Sequence, residues 1–286
     1  MFIGPATIAL REGIEAALIL AIMLSYLKKT QRMDLRKYVL GGALVAILTS
    51  VLVGAVLGLV WELFEGVALT IFEGSVVLLA AILLTTMILW MWKVGASIST
   101  EIQESVETQS AIRGGLGLFV LAFALILREG VELVLFTISL AVQDAFQTYV
   151  GVMIGLAIAI VLGIGIYQGS LRVSLSGFFK WTSIFLVLFA AGMIAYGIHE
   201  LQEAGLLLIG PIEVWNINPI LDDKGEIGSM LKALFGYNGN PSALEIVSYI
   251  GYLLIVSLYY VLRKSNVQTK EETTPPRTFA NTMQEE

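Results

Sequence analysis

Cysteine is absent from the 286 residues and histidine occurs once, at His199. The missing thiols exclude disulfides, thiolate metal sites and covalent haem attachment, which weakens every soft-metal reading. Charge is also scarce: Asp, Glu, Lys and Arg make up 14% of the chain, where a soluble domain carries about a quarter. The balance is acidic, with a net charge of −6, so no nucleic-acid partner is expected. No cleavable leader is expected either, because the first apolar segment contains Arg11, Glu12 and Glu15 and follows no basic stretch. There is no nucleophile–base set or cofactor motif, so an enzyme is not expected. Nothing points to a permanently bound cofactor.

What fills the chain is apolar sequence, 57% of it, gathered into long runs rather than dispersed. Runs of about 20 apolar residues cross a bilayer core of roughly 30 Å as helices. Barrel strands alternate and are excluded by uninterrupted runs. The fold class expected is an all-α integral membrane protein with seven transmembrane helices. The spans fall near 4–27, 38–60, 71–93, 115–140, 147–168, 181–200 and 244–262. Basic residues cluster after span 1 (Lys28, Lys29, Arg32, Arg36, Lys37), span 3 (Lys93, Arg113), span 5 (Arg172, Lys180) and span 7 (Arg263, Lys264, Lys270, Arg277). The other connections hold little Lys or Arg apart from Lys224 and Lys232. The positive-inside rule then puts the N-terminus outside and the C-terminus inside. The transmembrane domain runs over 1–264, and the tail at 265–286 is expected to be disordered and cytoplasmic. An external loop over 201–243, with Pro211, Pro219 and Asp222-Asp223, is expected to hold a short helix near 226–235.

An internal repeat organises these spans. Arg11-Glu12-Gly13-Ile14-Glu15 in span 1 returns as Arg128-Glu129-Gly130-Val131-Glu132 in span 4, 117 residues on (128 minus 11). The copies lie three spans apart, in spans 1 and 4, so the halves (about 4–93 and 115–200) enter the membrane from opposite sides. That is an inverted 3+3 repeat with a seventh helix outside it, an arrangement that puts a substrate site near the midplane. In a helix Arg and the second Glu share a face, and the two glutamates approach on neighbouring turns. Charges at mid-membrane cost on the order of 2.5–3.5 kcal/mol each, so the six must face inward and be compensated. Two arginines against Glu12, Glu15, Glu129 and Glu132 leave negative charge in surplus, and Glu73 at the start of span 3 is expected to add to it. Oxygen ligands alone favour hard cations and leave magnesium, calcium, manganese and iron open. Clustered carboxylates also raise one another's pKa, which makes proton coupling a compatible reading. The bland alternative is a pair of structural Arg–Glu pins.

At these residues the chain resembles the oxidase-dependent iron transporter family, the iron permeases of yeast high-affinity uptake and of bacterial EfeU-type systems. Arg11–Glu15 and Arg128–Glu132 match its R-E-x-x-E signature in the first and fourth helices. Phe72-Glu73-Gly74, Gly197 through Gly205, and Gly236-Tyr237 through Pro241-Ser242 look familial too. The resemblance implies uptake of iron, as Fe3+ (or Fe2+), across the cell (plasma) membrane, with Glu12, Glu15, Glu129 and Glu132 as iron ligands and Arg11 and Arg128 as charge-setting partners. It also implies an outside partner, such as a multicopper oxidase, a haem peroxidase or an iron-binding protein. Lead or manganese transport on the same fold, or a non-transporting sensor or scaffold, are the competing readings.

Lesser features carry lesser expectations. His199, Glu200 and Glu203 at the outer end of span 6, and Glu62 and Glu65 after span 2, are candidates for capturing the ion outside. Glu101, Glu104 and Glu107 form one stripe of a helix whose other side is Ile98, Ile102 and Val106, expected to lie at the inner membrane face. Trp90, Trp92, Tyr259 and Tyr260 read as interfacial belt residues. Gly54-x-x-x-Gly58 and Gly151-x-x-x-Gly155 read as helix contacts, with a homo-oligomer possible.

Overall fold

The computed structural model describes residues 2–94, 98–168, 175–208, 213–223 and 225–273. Arg172, Pro211, Lys224 and the tail beyond Thr273 lie outside the described residues. The described residues form eight α-helices: α1 (Ile3–Lys29), α2 (Arg36–Glu62), α3 (Val67–Val94), α4 (Ile98–Ile112), α5 (Gly114–Tyr167), α6 (Leu175–Glu203), α7 (Glu226–Phe235) and α8 (Ala243–Thr273). A single turn of 3₁₀-helix at Met33–Leu35 leads into α2, and among the described residues the only β-pairing is the isolated bridge between Glu213 and Ser242. The short helix expected near 226–235 is present as Glu226–Phe235. The last helix runs on to Thr273, past the expected end at 262, so the first part of the expected tail is helical.

Among the described residues five stretches are long and apolar enough to cross a membrane: Met33–Glu62, Val67–Trp92, Asp144–Tyr167, Thr182–Glu203 and Ala243–Leu262. The protein is therefore a multi-pass membrane protein. Two more segments have comparable length but carry the motif charges. They are α1, with Arg11, Glu12 and Glu15, and the first half of α5, with Arg128, Glu129 and Glu132.

The 54-residue α5 is two helices in sequence. Asp144 breaks it with an extended backbone (φ −159°, ψ 97°). Its Oδ1 accepts a hydrogen bond from the Gln147 backbone N–H at 3.0 Å, which caps the second half. Together with the turn between α1 and α2, this break sets the helix directions.

Glycine contacts show the directions. Gly151, Gly155 and Gly163 in the second half of α5 lie against Phe2 and Pro5, Ala6 and Ala9, and Ala17 of α1, with Gly13 against Ala159. The numbers rise together, so these helices are parallel. Likewise Gly42 and Gly54 of α2 lie against Phe119 and Val134 in the first half of α5, and Gly130 against Ser50. Leu27 of α1 shares a core cluster with Leu35 and Val39, so α2 turns back along α1. The first half of α5 therefore runs opposite to α1. Between α3 and α6 the numbers run in opposite senses, Gly74 against Glu200 and Leu78 against Gly197.

The motif glycines occupy matching places in this arrangement. Gly13 meets the second half of α5, and Gly130 meets α2. Small residues let backbones approach closely where lipid offers no hydrophobic drive for association. The Gly151–Gly155 pair is thus occupied within the chain, against α1.

The core falls into layers. Ile8, Val77, Leu84, Met87, Phe136, Phe189 and Met193 form one cluster. Met23, Leu27, Val39, Leu118 and Ala122 form another near the turn between α1 and α2, joined by Ile102 and Val106 of α4. The apolar side of α4 is thus covered by the bundle rather than by lipid, and Arg32 Nη1 donates to Ser110 Oγ at 2.9 Å to hold it there.

A Cβ at Gly155 would strike the Ala6 carbonyl and the Leu10 backbone, whereas Gly251 has nothing within 4 Å. Overpacking such a seam costs about 1–3 kcal/mol or more. We expect Gly155→Leu to melt several degrees below Gly251→Leu in detergent, and equal melting temperatures would contradict this packing.

Candidate metal centre

The charged motifs lie on helices running in opposite directions, and packing brings their acidic faces together. On α1, Arg11 Nη2 lies 3.2 Å from Glu15 Oε1 and Nη1 lies 3.6 Å from Glu12 Oε1. On α5, Arg128 Nε donates to Glu132 Oε1 at 2.9 Å and stands 4.0 Å from Glu129 Oε1. Between the two helices, Glu12, Glu15 and Glu129 each offer a carboxylate oxygen within 4.8 Å of the other two. All four motif glutamates are buried.

Carboxylates in an apolar bundle need hydrogen bonds or charge partners. These have few. Both oxygens of Glu12, Oε1 of Glu15, and one oxygen each of Glu129 and Glu132 are buried with no hydrogen-bond partner from the protein. Four carboxylates face two guanidinium groups, which leaves two formal negative charges over. Oxygens around a hard octahedral cation, at metal–oxygen distances of about 2.0–2.6 Å, lie roughly 3–3.7 Å apart. A spread of up to 4.8 Å is within a small side-chain adjustment of that geometry. The donor set, oxygen only and anionic, suits a hard or borderline divalent or trivalent cation.

The two arginines are not equivalent. Arg11 is fully buried, while the Arg128 side chain is 41% exposed. Arg128 lies 4.7 Å over the Trp90 ring, a cation–π contact. Trp90 is thus a partner of the motif rather than only a belt residue. Trp92 meets Tyr260 edge-on at 4.9 Å.

Other candidates lie elsewhere. Glu73 does not join the central cluster; the charges acting on it are Glu200 and Glu203, at the seam where Gly74 meets α6. Its place in the second turn of α3, fourteen residues before Met87 (87 minus 73), puts it about 21 Å along that helix from the residue that touches Arg11. The bonded partner of His199 is an acid of another helix: its Nδ1 lies 3.0 Å from Glu245 Oε1 of α8. Glu62, Glu65 and Glu203 are exposed at the same end, and Glu101, Glu104 and Glu107 are exposed on α4. Among the described residues only Glu12, Glu15 and Glu129 form a cluster able to hold a metal.

Three contacts were not foreseen from the sequence. Met87 and Trp90 reach the arginines from α3, where Trp90 reads as a belt residue and no local signal marks Met87. Glu245 does have a signal, the capping box Ser242-x-x-Glu245. Its N–H bonds Ser242 Oγ at 3.2 Å, and Oε1 accepts from the Ser242 N–H at 3.1 Å. Glu245 Oε2 also accepts from Asn238 Nδ2 at 2.8 Å, so this acid is saturated and structural.

Residues 2–267 match the iron permease FTR1 family. The ferrous iron permease EfeU of Escherichia coli O6:K15:H31 is 34% identical over 265 residues, covering 92% of this chain and 96% of that protein. The ferrous iron permease EfeU of Yersinia pestis is 33% identical over 267 residues, covering 92% and 94%. No solved structure matches significantly. With a family match over nearly its whole length and relatives alike from end to end, the chain belongs to the iron permease FTR1 family.

Proposed function

We propose that the chain carries iron into the cell through the carboxylate cluster between α1 and the first half of α5. The observation that carries this reading is the convergence of Glu12, Glu15 and Glu129 from opposed helices, buried and short of hydrogen bonds. The names of the relatives favour ferrous iron as the species moved. Glu132 completes the set from the arginine-bonded side, and Arg11 and Arg128 offset part of its charge.

Membership in the family and the helix directions support seven spans: the five apolar ones, α1 and the first half of α5. On this reading the two halves are inverted copies, and the site lies at their interface. The Lys and Arg distribution supports an outside N-terminus in the cell membrane. Glu200, Glu203 and Glu73 then sit together at the outer end and form the place where iron first meets the protein. His199 opens beside them onto a cavity of about 250 Å³ lined by Tyr196, Asp223, Lys232 and Asn240. On the inner side a cavity of about 300 Å³ runs between α1 and α4, lined by Leu18, Ala21, Ser25, Tyr26 and Gln103. Leu18 lies one turn below Glu15, so the inner cavity continues the face that bears the site. An oxidase, peroxidase or iron-binding protein would act as a separate partner outside.

Two outcomes check this. Removing one ligand charge while keeping shape should be severe, because changes even beyond the direct ligands cost about 10–100-fold at metal sites. We expect Glu15→Gln and Glu129→Gln, inserted normally into proteoliposomes, each to slow iron uptake at least about tenfold. Parent-like uptake in both would end the claim that this cluster is the transport site.

Orientation is testable because the chain has no native cysteine. An impermeant thiol reagent added to intact cells should label Glu62→Cys, and should label Thr108→Cys only after permeabilisation. The opposite pattern would reverse the topology.

A further inference from the structure

The least explained contact at the metal centre is made by a sulfur. Arg11 Nη1 donates to Met87 Sδ at 2.7 Å, across from α1 to α3. A thioether is a weak, neutral acceptor, and a guanidinium fork normally seeks a carboxylate in a bidentate pair. Carboxylates are at hand: Glu15 Oε1 lies 3.2 Å from Nη2 and Glu12 Oε1 lies 3.6 Å from Nη1. Yet Arg11 Nε and Nη2, both oxygens of Glu12 and Oε1 of Glu15 all lack hydrogen bonds. Donors and acceptors of opposite charge therefore stand side by side, buried and ion-paired but without a hydrogen bond between them.

Met87 accounts for this. It is 2% exposed and fixed in the cluster with Ile8, Leu84, Ile88 and Phe136, so its sulfur has little freedom to move. Nη1 is the guanidinium nitrogen nearest Glu12, and with it turned to that sulfur Glu12 receives no hydrogen bond from the arginine. The second motif shows the alternative state, since Arg128 Nε bonds Glu132 directly at 2.9 Å and no sulfur intervenes. One arginine hydrogen-bonds a glutamate of its motif, and the other only ion-pairs with its two.

We propose that Met87 is a positioning residue for cation capture, holding Arg11 Nη1 away from a hydrogen bond with Glu12. Both oxygens of Glu12 stay open to the ion, while the positive charge remains near enough to offset them when the ion leaves. An arginine free to form the bidentate pair would compete with the cation for the same oxygens. This inference rests on the transport reading above.

The test is iron uptake against concentration in proteoliposomes holding the full-length protein, for the parent, Met87→Leu, Met87→Gln and Glu15→Gln. Leucine nearly preserves the volume of methionine but cannot accept a hydrogen bond. Met87→Leu should raise KM about tenfold, the scale of a hydrogen bond to a charged group, with kcat within about twofold. Met87→Gln restores an acceptor and should keep KM within about twofold of the parent. Should the leucine variant not insert, Met87→Ile takes its place in the same comparison.

A parent-like KM in Met87→Leu, with Glu15→Gln impaired, would overturn the role of Met87 alone. Equal impairment in the leucine and glutamine variants would also overturn it, since packing rather than an acceptor would then be at stake. Unimpaired Glu15→Gln would overturn the transport site itself, and this proposal with it.

Discussion

Four carboxylates buried with two guanidinium groups impose the constraint on which the rest of the molecule depends. In lipid such charges cannot be left facing outward, and inside a bundle they cannot be left without partners. The chain meets the first demand by turning both motifs inward and the second only in part. Arg128 bonds Glu132, while Glu12 has no hydrogen bond at all. The remaining demand for positive charge is what makes the centre a place for a cation. A structural ion pair would have closed the account with one arginine per glutamate.

The scaffold follows from the same constraint. Bringing Glu12 and Glu15 to Glu129 needs two helices that run oppositely yet pack tightly near their middles. The break at Asp144 reverses α5, and the glycine seams let α1 and α2 each lie against one half of it. Gly13 and Gly130 sit beside the acids and face small partners, Ala159 and Ser50. The symmetry is then broken by α3, which supplies Met87 to one arginine and Trp90 to the other. The same helix thus treats two copies of one motif differently, leaving Arg11 buried and Arg128 half open.

Much of this was legible in the sequence, and the reason is periodicity. The Arg-Glu-Gly-x-Glu copies, their spacing and their offset of three spans foretell an inward-facing acidic pair on opposed helices. The short helix at 226–235 and the exposed stripe of Glu101, Glu104 and Glu107 were equally readable from their patterns. What hydropathy does not encode is register between helices. Glu73 has the right charge and the right helix, but the tilt and offset of α3 place it with Glu200 instead of Glu12. His199 looks like a ligand beside two acids, yet the helix face turns it to Glu245. Met87 reads as an ordinary apolar residue of a span and Trp90 as a belt residue, because their partners lie on other helices far along the chain.

The central claim is that an ion rests among Glu12, Glu15 and Glu129. Anomalous scattering at the iron edge, from crystals soaked in iron, tests it most directly. The account predicts a peak within metal–oxygen bonding distance of those three carboxylates, between α1 and the first half of α5. A peak found only beside Glu73, Glu200 and Glu203, or none between the two motif helices, would contradict it.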